Sequence, residues 1–292
     1  MDIKKYLTEK KALVDKTLEE YFAKERDFPP ALKEAVFYSL RAGGKRVRPI
    51  LTIASAEACG GKAENVLAIC AALEMIHTFS LIHDDLPAMD NDDLSRGLPT
   101  SHKKFGEAAA ILAGDALLAE AFSCLAASFG RPENLIEIIR DIAGATGAGG
   151  MTGGQLLDME AAGKKITYDD LRNIHRGKTG ALITVSVTSG AKAAAADKKQ
   201  LAALTTYGKS IGLAFQISDD ILDIEGTTEE LGKPAKSDIG NKKSTYPSIL
   251  GVEKSKKLAK EQIDAAYSAL AEFDAKADPL REIARYIINR KS

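Results

Sequence analysis

The sequence predicts an all-α fold, and three observations lead to that expectation. Apolar residues recur at three- and four-residue spacing through long segments, which is the period of an α-helix. Several segments are apolar on nearly every side, as expected of helices in the middle of a bundle. Strand signals are scarce, because the β-branched run 183–187 lies inside the alanine-rich stretch 178–196, which favours a helix. We therefore expect a helical bundle with a run of central helices.

The predicted helices are bounded by residues that favour helix ends. Gly43 and Gly44 follow the first predicted helix as a stop signal, and Pro49 suits the first turn of the next helix. Pro87 ends the helix that carries Asp84. The segments with the clearest helical period are 31–41, 66–83, 108–129 and 201–224.

Length and composition indicate one large globular domain spanning 1–292. The chain has 292 residues, 45% of them hydrophobic and 28% charged, and no Pro/Gly/Ser-rich linker divides it.

A net charge of -1 gives no support for nucleic-acid binding, which favours a basic surface. The cysteines are odd in number and lie in apolar helical segments, so we expect reduced core thiols. With a charged start and no apolar run approaching a membrane span, we expect a cytoplasmic protein without stable membrane insertion.

Two aspartate clusters follow or end long apolar segments. We call Asp84, Asp85 and Asp90 the first aspartate cluster, and the set Asp219, Asp220 and Asp223 the second. Side chains four residues apart, such as 219 and 223, share a helical face, where like charges repel. Carboxylate oxygens without a cage of cysteine or histidine favour Mg²⁺, which takes one or two protein carboxylates and completes its shell with water and substrate phosphate. The clusters therefore predict a diphosphate held between metal ions.

Basic residues that could bind the same anion, or a second one, occur in three places. In the segment 43–49, the glycines leave the backbone open, and Lys45 and Arg48 can reach one anion. The second place is Lys178-Thr179, directly after a glycine. The third is the segment after the second aspartate cluster, which contains Lys233, Lys236, Lys242 and Lys243.

Taken in order, these motifs resemble the trans-type polyprenyl diphosphate synthases, and most closely the bacterial farnesyl diphosphate synthases. The resemblance rests on GGKRVRP at 43–49, DDLPAMD at 84–90 with Arg96-Gly97 after it, GQLLD at 154–158, Lys178-Thr179, FQISDDILD at 215–223, Gly232-Lys233 and the ending 285–290. It spans nearly the whole chain. Each motif alone is moderately specific, whereas the complete ordered set is highly specific.

The resemblance implies an all-α bundle of the isoprenoid synthase type with a central cavity. It also implies head-to-tail prenyl transfer, in which an allylic diphosphate ionises with help from three Mg²⁺ ions and isopentenyl diphosphate attacks the carbocation. Family positions imply that the main metal ligands are Asp84, Asp90 and Asp219, supported by Asp85, Asp220 and Asp223. The allylic diphosphate would be held by Lys178, Lys233 and Lys242 or Lys243, with Thr179 and Gln216 facing the cation. Isopentenyl diphosphate would bind Lys45, Arg48, His77 and Arg96. A homodimer is also implied.

Two positions bear on substrate choice. Phe79 lies roughly 7 Å before Asp84 along a helix, so a growing hydrocarbon chain would meet its ring. This bulk, with the two additional residues inside the first aspartate motif, resembles the bacterial farnesyl pattern and predicts a C15 product. Geranyl or geranylgeranyl diphosphate synthase activity is the alternative. Ser95 stands where the family usually has an arginine, so we expect weaker binding of the allylic substrate.

Three other functions fit parts of the sequence. A class I terpene cyclase also ionises a diphosphate with aspartates and Mg²⁺, but it needs no second diphosphate site such as Lys45, Arg48 and Arg96 would form. A noncatalytic subunit of a heteromeric synthase would have a degraded aspartate motif, and both motifs are intact. An iron or manganese carboxylate bundle would require Glu-x-x-His pairs, which neither cluster has nearby.

Simpler structural roles stay open at several positions. Asp92 and Asp93 fit a solvated loop as well as a metal site, and His77 and Phe79 could be ordinary core residues. We expect His83 to be structural. The glycines of segment 149–154 could permit close helix packing, while Gln155 and Asp158 could line the cavity.

Overall fold

The computed structural model describes residues 1–23, 27–127, 132–225 and 243–289. The α-helices in this part of the chain are α1 (Ile3–Ala23), α2 (Pro30–Arg41), α3 (Val47–Ala58), α4 (Leu67–Asp84), α5 (Ser101–Phe105), α6 (Glu107–Ala126), α7 (Pro132–Thr146), α8 (Met151–Ala161), α9 (Tyr168–His175), α10 (Ala181–Ala193), α11 (Lys198–Glu225), α12 (Tyr246–Leu250), α13 (Val252–Ala269) and α14 (Asp278–Asn289). Short 3₁₀ turns cover Ala63–Val66 and Ala275–Ala277. The all-α prediction is confirmed.

The bundle is organised around α4, which packs against α3 and α6. Leu73, Met75 and Ile76 are completely buried there. Neighbouring helices cover α4 on nearly every side, which explains why its sequence is apolar on nearly every side. A second layer is formed by α10, which packs between α3 and α11, and by α13, which packs against α11. The first aspartate cluster begins at the C-terminal end of α4, and the second lies in the last two turns of α11.

The predicted segments agree with the observed helices to within about three residues at their ends, and two of the differences are informative. The segment predicted as helix through residue 129 ends at Ala126 in α6, and residues 128–131 lie outside the described part. The segment 178–196 is helical as predicted, but its first residues belong to a π-helical turn, Arg176–Gly180, that precedes α10. A single π turn inside a helix often marks a functional site, and this one carries Lys178 and Thr179.

A β-hairpin between α4 and α5 was not predicted. Strands β1 (Leu94–Ser95) and β2 (Leu98–Pro99) pair antiparallel, with Ser95 opposite Leu98. The two residues between them, Arg96 and Gly97, have φ values of 53° and 78°. Positive φ at both central residues is the geometry of a type I′ turn, which favours glycine at the second position. Gly97 was therefore the one residue of this turn whose type indicated a hairpin in the sequence.

In the part of the chain that the structure describes, two helical stretches could cross a membrane by length and composition alone, namely Ala63–Asp84 and Glu107–Ala126. The expectation that no apolar run approaches that length is therefore wrong. Of the most hydrophobic part of the first stretch, 67% is buried inside the protein. Its apolar composition therefore follows from its place in the middle of the bundle, since a buried core helix meets the same criterion as a membrane span.

Candidate active site

The first aspartate cluster is gathered by a tight turn after α4. The backbone N–H of Asp90 donates to the carbonyl of Asp84 at 2.9 Å, which folds the chain back on the helix end. Burial, reinforced by the charges of Asp90 and Asp158, raises the pKa of Asp84 to about 6 despite nearby lysines. Burial and the charges of Asp92 and Asp84 raise the pKa of Asp85 to about 7. Negative charge is thus concentrated at a helix C-terminus, where the helix dipole also disfavours it.

Two of the predicted diphosphate-binding lysines reach this cluster. Lys178 Nζ donates to Asp158 Oδ2 at 2.7 Å, while Lys243 Nζ donates to Asp90 Oδ2 at 3.0 Å and lies 3.9 Å from Asp158. Burial would raise the pKa of Asp158, but the charges of Lys178 and Lys243 hold it below its ordinary value. We call this set the acidic region: Asp84, Asp85, Asp90, Asp158, Lys178 and Lys243.

The position of Lys178 depends on a close approach between α8 and the π turn. A Cβ placed on Gly154 would lie 2.1 Å from the backbone nitrogen of Lys178, so any larger residue would push the two elements apart. Asp158 lies four residues after Gly154 on the same face of α8, which brings its carboxylate beside the Lys178 ammonium. Close packing by glycine and the charge pair are therefore parts of one arrangement.

A hydrogen-bonded chain connects the π turn to the second aspartate cluster. Thr179 Oγ1 donates to Gln216 Oε1 at 3.0 Å, and Gln216 Nε2 donates to Asp220 Oδ1 at 2.9 Å. The backbone N–H of Tyr246 donates to the other carboxylate oxygen of Asp220 at 2.9 Å. Both oxygens of Asp220 thus accept hydrogen bonds, and Asp220 and Asp223 are each 2% exposed. Asp219 is more accessible, which favours it over the other two as a direct ligand.

Three predicted residues of the second anion site, Arg48, His77 and Arg96, lie close enough for their charges to interact, and with Lys45 of the adjoining loop we call them the basic region. Lys45 is exposed on the loop between α2 and α3, and Arg48 lies in the first turn of α3. The Nε atom of Arg48 is buried and has no hydrogen-bond partner among the described residues. Burial lowers the pKa of Arg48, and burial with the charges of Arg48 and Arg96 lowers the pKa of His77 well below its ordinary value.

Arg96 reaches this region from the tip of the hairpin. Its Nη1 donates to the carbonyl of Gly43. Gly44 has a φ of +131°, which strains any residue with a side chain, and a Cβ there would lie 2.9 Å from Arg96 Cζ and displace the guanidinium. An interaction with the neighbouring Ser95 hydroxyl partly offsets the raised pKa of Asp85. The hairpin therefore joins the acidic and basic regions.

Other predicted residues are placed as follows. Phe79 is 8% exposed, and its ring meets the His83 ring edge-on at a centroid distance of 5.5 Å. The Nε2 atom of His83 lies 3.0 Å from the carbonyl oxygen of Ile111 in α6, a packing contact. Asp93 pairs with Lys103 on the surface at 2.7 Å. Three predicted lysines lie outside the described residues: Lys233, Lys236 and Lys242.

Glu74 carried a sequence signal that was not recognised, whereas Gln155 was expected to line the cavity. Glu74 is the one acidic residue between Leu67 and Ile82 of the apolar α4, and it is 1% exposed. Such a buried carboxylate requires a charged or hydrogen-bonding partner, and Arg46 Nη1 donates to it at 2.6 Å. Gln155 is 8% exposed, and neither atom of its amide has a hydrogen-bond partner in the described part of the chain.

The donor set suits a hard divalent cation that is shared with a phosphate ligand. Within residues 1–23, 27–127, 132–225 and 243–289, no three acidic, histidine or cysteine side chains converge closely enough to hold an ion by themselves. Each aspartate cluster can still offer one or two carboxylate oxygens, which is the share that Mg²⁺ usually takes from protein. The raised pKa values of Asp84 and Asp85 indicate unbalanced negative charge that a cation would neutralise.

Comparisons with known proteins agree with this arrangement. The geranylgeranyl diphosphate synthase of Cyanophora paradoxa is 48% identical over 290 residues, which cover 98% of this chain and 96% of that protein. The farnesyl diphosphate synthase of Micrococcus luteus is 47% identical, with 89% of each chain covered. The crystal structure of a geranylgeranyl pyrophosphate synthetase from Pyrococcus horikoshii superposes with a TM-score of 0.90 at 30% identity, covering 99% of this chain and 100% of that one.

The family model described as polyprenyl synthetase matches residues 29–286, a range that contains both aspartate clusters, the basic region and the π turn. The resemblance inferred from the motifs is confirmed by this match and by the identity to its curated relatives. The chain therefore belongs to the polyprenyl synthetase family and is a prenyltransferase that performs head-to-tail prenyl transfer.

Proposed function

We propose that this chain is a farnesyl diphosphate synthase, which condenses isopentenyl diphosphate with dimethylallyl and then geranyl diphosphate in a Mg²⁺-dependent reaction. The observation that carries the proposal is the juxtaposition of two sites of opposite charge. The acidic region holds carboxyls with raised pKa values, whereas the basic region holds partly buried cations, among them Arg48, whose Nε has no hydrogen-bond partner within the described ranges. One region suits a metal-bound diphosphate, and the other suits a diphosphate bound by cations alone.

In the acidic region, the carboxylates would hold the metal and the lysines would hold the allylic diphosphate. Asp84, Asp90 and Asp219 would be the main ligands of three Mg²⁺ ions, supported by Asp85, Asp220 and Asp223. Bound Mg²⁺ would supply positive charge against the departing diphosphate. Lys178 and Lys243 now contact Asp158 and Asp90, and each can turn its remaining N–H groups toward phosphate oxygens. Lys233 would contribute from the segment after α11.

Thr179 and Gln216 would face the allylic cation. The hydrogen bond from Gln216 Nε2 to Asp220 fixes the side-chain amide, so Oε1 lies beside Thr179 Oγ1. Two oxygen atoms with partial negative charge then lie close together without a full charge that could capture the cation covalently. Stabilisation by fixed dipoles of this kind requires little rearrangement during the reaction. No protein nucleophile is needed.

In the basic region, Lys45, Arg48, His77 and Arg96 would bind isopentenyl diphosphate. A neutral His77, as its lowered pKa indicates, can donate one hydrogen bond to the anion without adding charge. This second diphosphate site distinguishes the proposal from a class I terpene cyclase, which needs only the allylic site.

Product length rests on Phe79. Relatives of this chain are named as both farnesyl and geranylgeranyl diphosphate synthases, so family membership alone leaves C15 and C20 as candidates. The ring of Phe79 is packed against His83, whose Nε2 would lie only 2.2 Å from a Cβ placed on Gly114 of α6. A wall supported in this way from α6 is suited to stop a growing hydrocarbon chain. We therefore favour C15, with C20 or C10 as the alternatives.

The assembly and location of the protein are proposed on the same basis. We expect a single catalytic domain over 1–292 that works in the cytoplasm as a homodimer. Ile111 and Leu112, 42% and 57% exposed on α6, are the kind of apolar surface residues that a second copy could cover.

The test is to incubate purified protein and Mg²⁺ with isopentenyl diphosphate plus dimethylallyl or geranyl diphosphate, and to size the products by chromatography. We expect C15 diphosphate from either allylic substrate. Hydrocarbon release from an allylic diphosphate without isopentenyl diphosphate would instead indicate a cyclase. A dominant C20 product would retain the prenyltransferase but refute the chain-length proposal.

Phe79→Ala tests the proposed floor of the cavity directly. We expect longer products, C20 and above, because removing the ring opens space beyond the C15 chain. Phe105→Ala is the control, since Phe105 lies in α5 and contacts Tyr38 edge-on at a centroid distance of 5.3 Å. Unchanged C15 product from Phe79→Ala would show that another residue limits the chain.

A further inference from the structure

A buried ionic cluster lies beneath the basic region. Arg46 is 5% exposed and is held between two carboxylates from different helices. Its Nε donates to Asp15 Oδ1 of α1 at 2.8 Å, and its Nη1 donates to Glu74 Oε1 of α4 at 2.6 Å. Buried ion pairs add little net stability compared with well-packed apolar residues, so stability alone is a weak reason for this cluster.

The same guanidinium also binds the backbone at the end of α2 and in the loop that carries Lys45. Arg46 Nη2 donates to the carbonyl of Leu40 at 2.7 Å, and Nη1 donates to the carbonyl of Gly43 at 3.2 Å. Arg46 itself has a left-handed backbone with φ of 51°, an unfavourable conformation for a residue with a side chain. Its hydrogen bonds hold the backbone in this conformation, from which α3 begins.

Glu74 also supplies charge to the neighbouring cations. It lies one helical turn before His77 on α4, and its charge acts against the lowered pKa of Arg48. Its Oε2 atom is buried and has no hydrogen-bond partner in the described part of the chain. One carboxylate therefore acts on both Arg46 and Arg48, which keeps cations close together before any anion binds.

We infer that Arg46, anchored by Asp15 and Glu74, is a positioning residue that fixes the loop 43–48 and thereby sets the affinity for isopentenyl diphosphate. The inference rests on the proposed function, because it assigns that substrate to the basic region. Arg46 acts through Gly43 and through the start of α3, which carries Arg48. Asp15 makes α1 part of the binding site without contacting the ligand.

Asp15→Asn is the primary test, because its side chain is 34% exposed and the replacement retains its shape. We expect the KM for isopentenyl diphosphate to rise about fivefold, because the charge-assisted hydrogen bond from Arg46 to Asp15 is weakened. The kcat and the KM for geranyl diphosphate should stay within about twofold, because the allylic site is untouched.

Glu19→Gln is the matched control. Glu19 also lies on α1 and forms a bidentate pair with Arg41 at 2.7 Å, but that pair is exposed and, among the described residues, makes no hydrogen bond or ion pair to the loop 43–48. We expect all three kinetic constants to be unchanged. If Asp15→Asn altered both KM values or only kcat, or if Glu19→Gln matched it, the positioning role would be refuted.

Arg46→Lys and Glu74→Gln extend the test. Lysine keeps the charge but cannot bridge two carboxylates and two carbonyls, so binding of isopentenyl diphosphate should weaken by roughly tenfold. Glu74→Gln should weaken it at least as much if the variant folds; if it does not fold, Asp15→Asn and Arg46→Lys decide the matter. Calorimetric titration of isopentenyl diphosphate without allylic substrate measures this directly.

The two proposals fail differently. If the wild-type protein neither binds nor consumes isopentenyl diphosphate, the proposed function is wrong. If the wild-type protein does both, and Asp15→Asn and Arg46→Lys bind as tightly as the wild type, only the positioning role is wrong.

Discussion

The acidic and basic regions are electrostatic opposites that lie on either side of one short hairpin. In the acidic region, burial and neighbouring carboxylates raise the pKa values of Asp84 and Asp85. In the basic region, burial lowers the pKa values of Arg48 and His77, and neighbouring arginines lower that of His77 further. Each region therefore disfavours its own charge, and each would be stabilised by a ligand of the opposite sign.

The regions differ in how their charges are balanced before a ligand binds. The acidic region already contains counter-ions, since Lys178 pairs with Asp158 and Lys243 pairs with Asp90. The basic region depends on Glu74, whose ion pair is made with Arg46 rather than with a predicted ligand-binding residue. In the acidic region, the lysines can exchange their aspartate partners for phosphate oxygens when a metal-bound diphosphate binds. In the basic region, the arginines can bind an anion without first giving up a partner of this kind among the described residues.

The largest effect is expected from Asp84→Asn, which removes a proposed metal ligand and its charge from the acidic region. We expect kcat to fall by roughly 10³-fold, because stabilisation of the departing diphosphate is lost. Steady-state assays at saturating Mg²⁺ measure it. Asp93→Asn is the control, since Asp93 is 77% exposed and pairs with Lys103. Equal activity of both variants would remove Asp84 from the metal site.

Arg48→Met breaks the basic region instead, and its effect should fall on a different constant. We expect the KM for isopentenyl diphosphate to rise roughly fiftyfold with the KM for geranyl diphosphate little changed, because a charge-assisted contact to one substrate is lost. Arg41→Met is the control, because Arg41 is 60% exposed and pairs with Glu19. A rise in the allylic KM alone would reverse the assignment of the two regions.

A third prediction concerns pH and the binding of Mg²⁺ with inorganic diphosphate. As pH falls from 8 to 5, Asp84 and Asp85 become protonated through their pKa values of about 6 and about 7, so affinity should fall by about tenfold or more. The stability of the ligand-free protein should instead rise as pH falls over the same range. Carboxyls whose pKa is raised on folding bind protons more tightly in the native state, so they lower stability as pH rises through that range.

Thermal unfolding with and without the ligand measures both trends. In Asp85→Asn, both ligand affinity and ligand-free stability should depend less on pH above pH 6, because the group with the pKa of about 7 has been removed. Affinity that is constant from pH 8 to 5 in the wild type would show that these carboxyls do not bind the metal.

The sequence predicted the chemistry of both regions better than their supporting structure. Charges in apolar helical segments require a partner, and the residues of one motif lie near one another in the sequence. These two facts identified the aspartate clusters, Lys45, Arg48 and Lys178. The cluster of Arg46 with Asp15 and Glu74 was not, because its members are separated by 31 and 28 positions. Only the tertiary fold brings such residues together.

Backbone irregularities were missed for a related reason. The π turn at Arg176–Gly180 depends on close packing of α8 through Gly154, which a helical period does not encode. The hairpin is too short for strand periodicity to be visible, and only Gly97 indicated its turn. Both irregularities carry predicted ligand-binding residues, which agrees with the tendency of strained or irregular backbone to occur at functional sites.

The smallest effect is expected where the two regions meet, at Ser95. Its hydroxyl interacts with Asp85 and affects the pKa of that carboxyl, so the position borders the acidic region, while its neighbour Arg96 belongs to the basic one. Ser95→Arg would place a second cation beside the carboxylates, and we expect the KM for the allylic diphosphate to fall by about threefold to fivefold. Ser95→Met separates the effect of charge from that of side-chain size and should give no such decrease. A guanidinium that pairs only with Asp85 would leave the allylic KM unchanged or higher, in which case the serine would not account for weak allylic binding. A decrease confined to arginine would show that this chain tunes its allylic affinity at the boundary between its two charged regions.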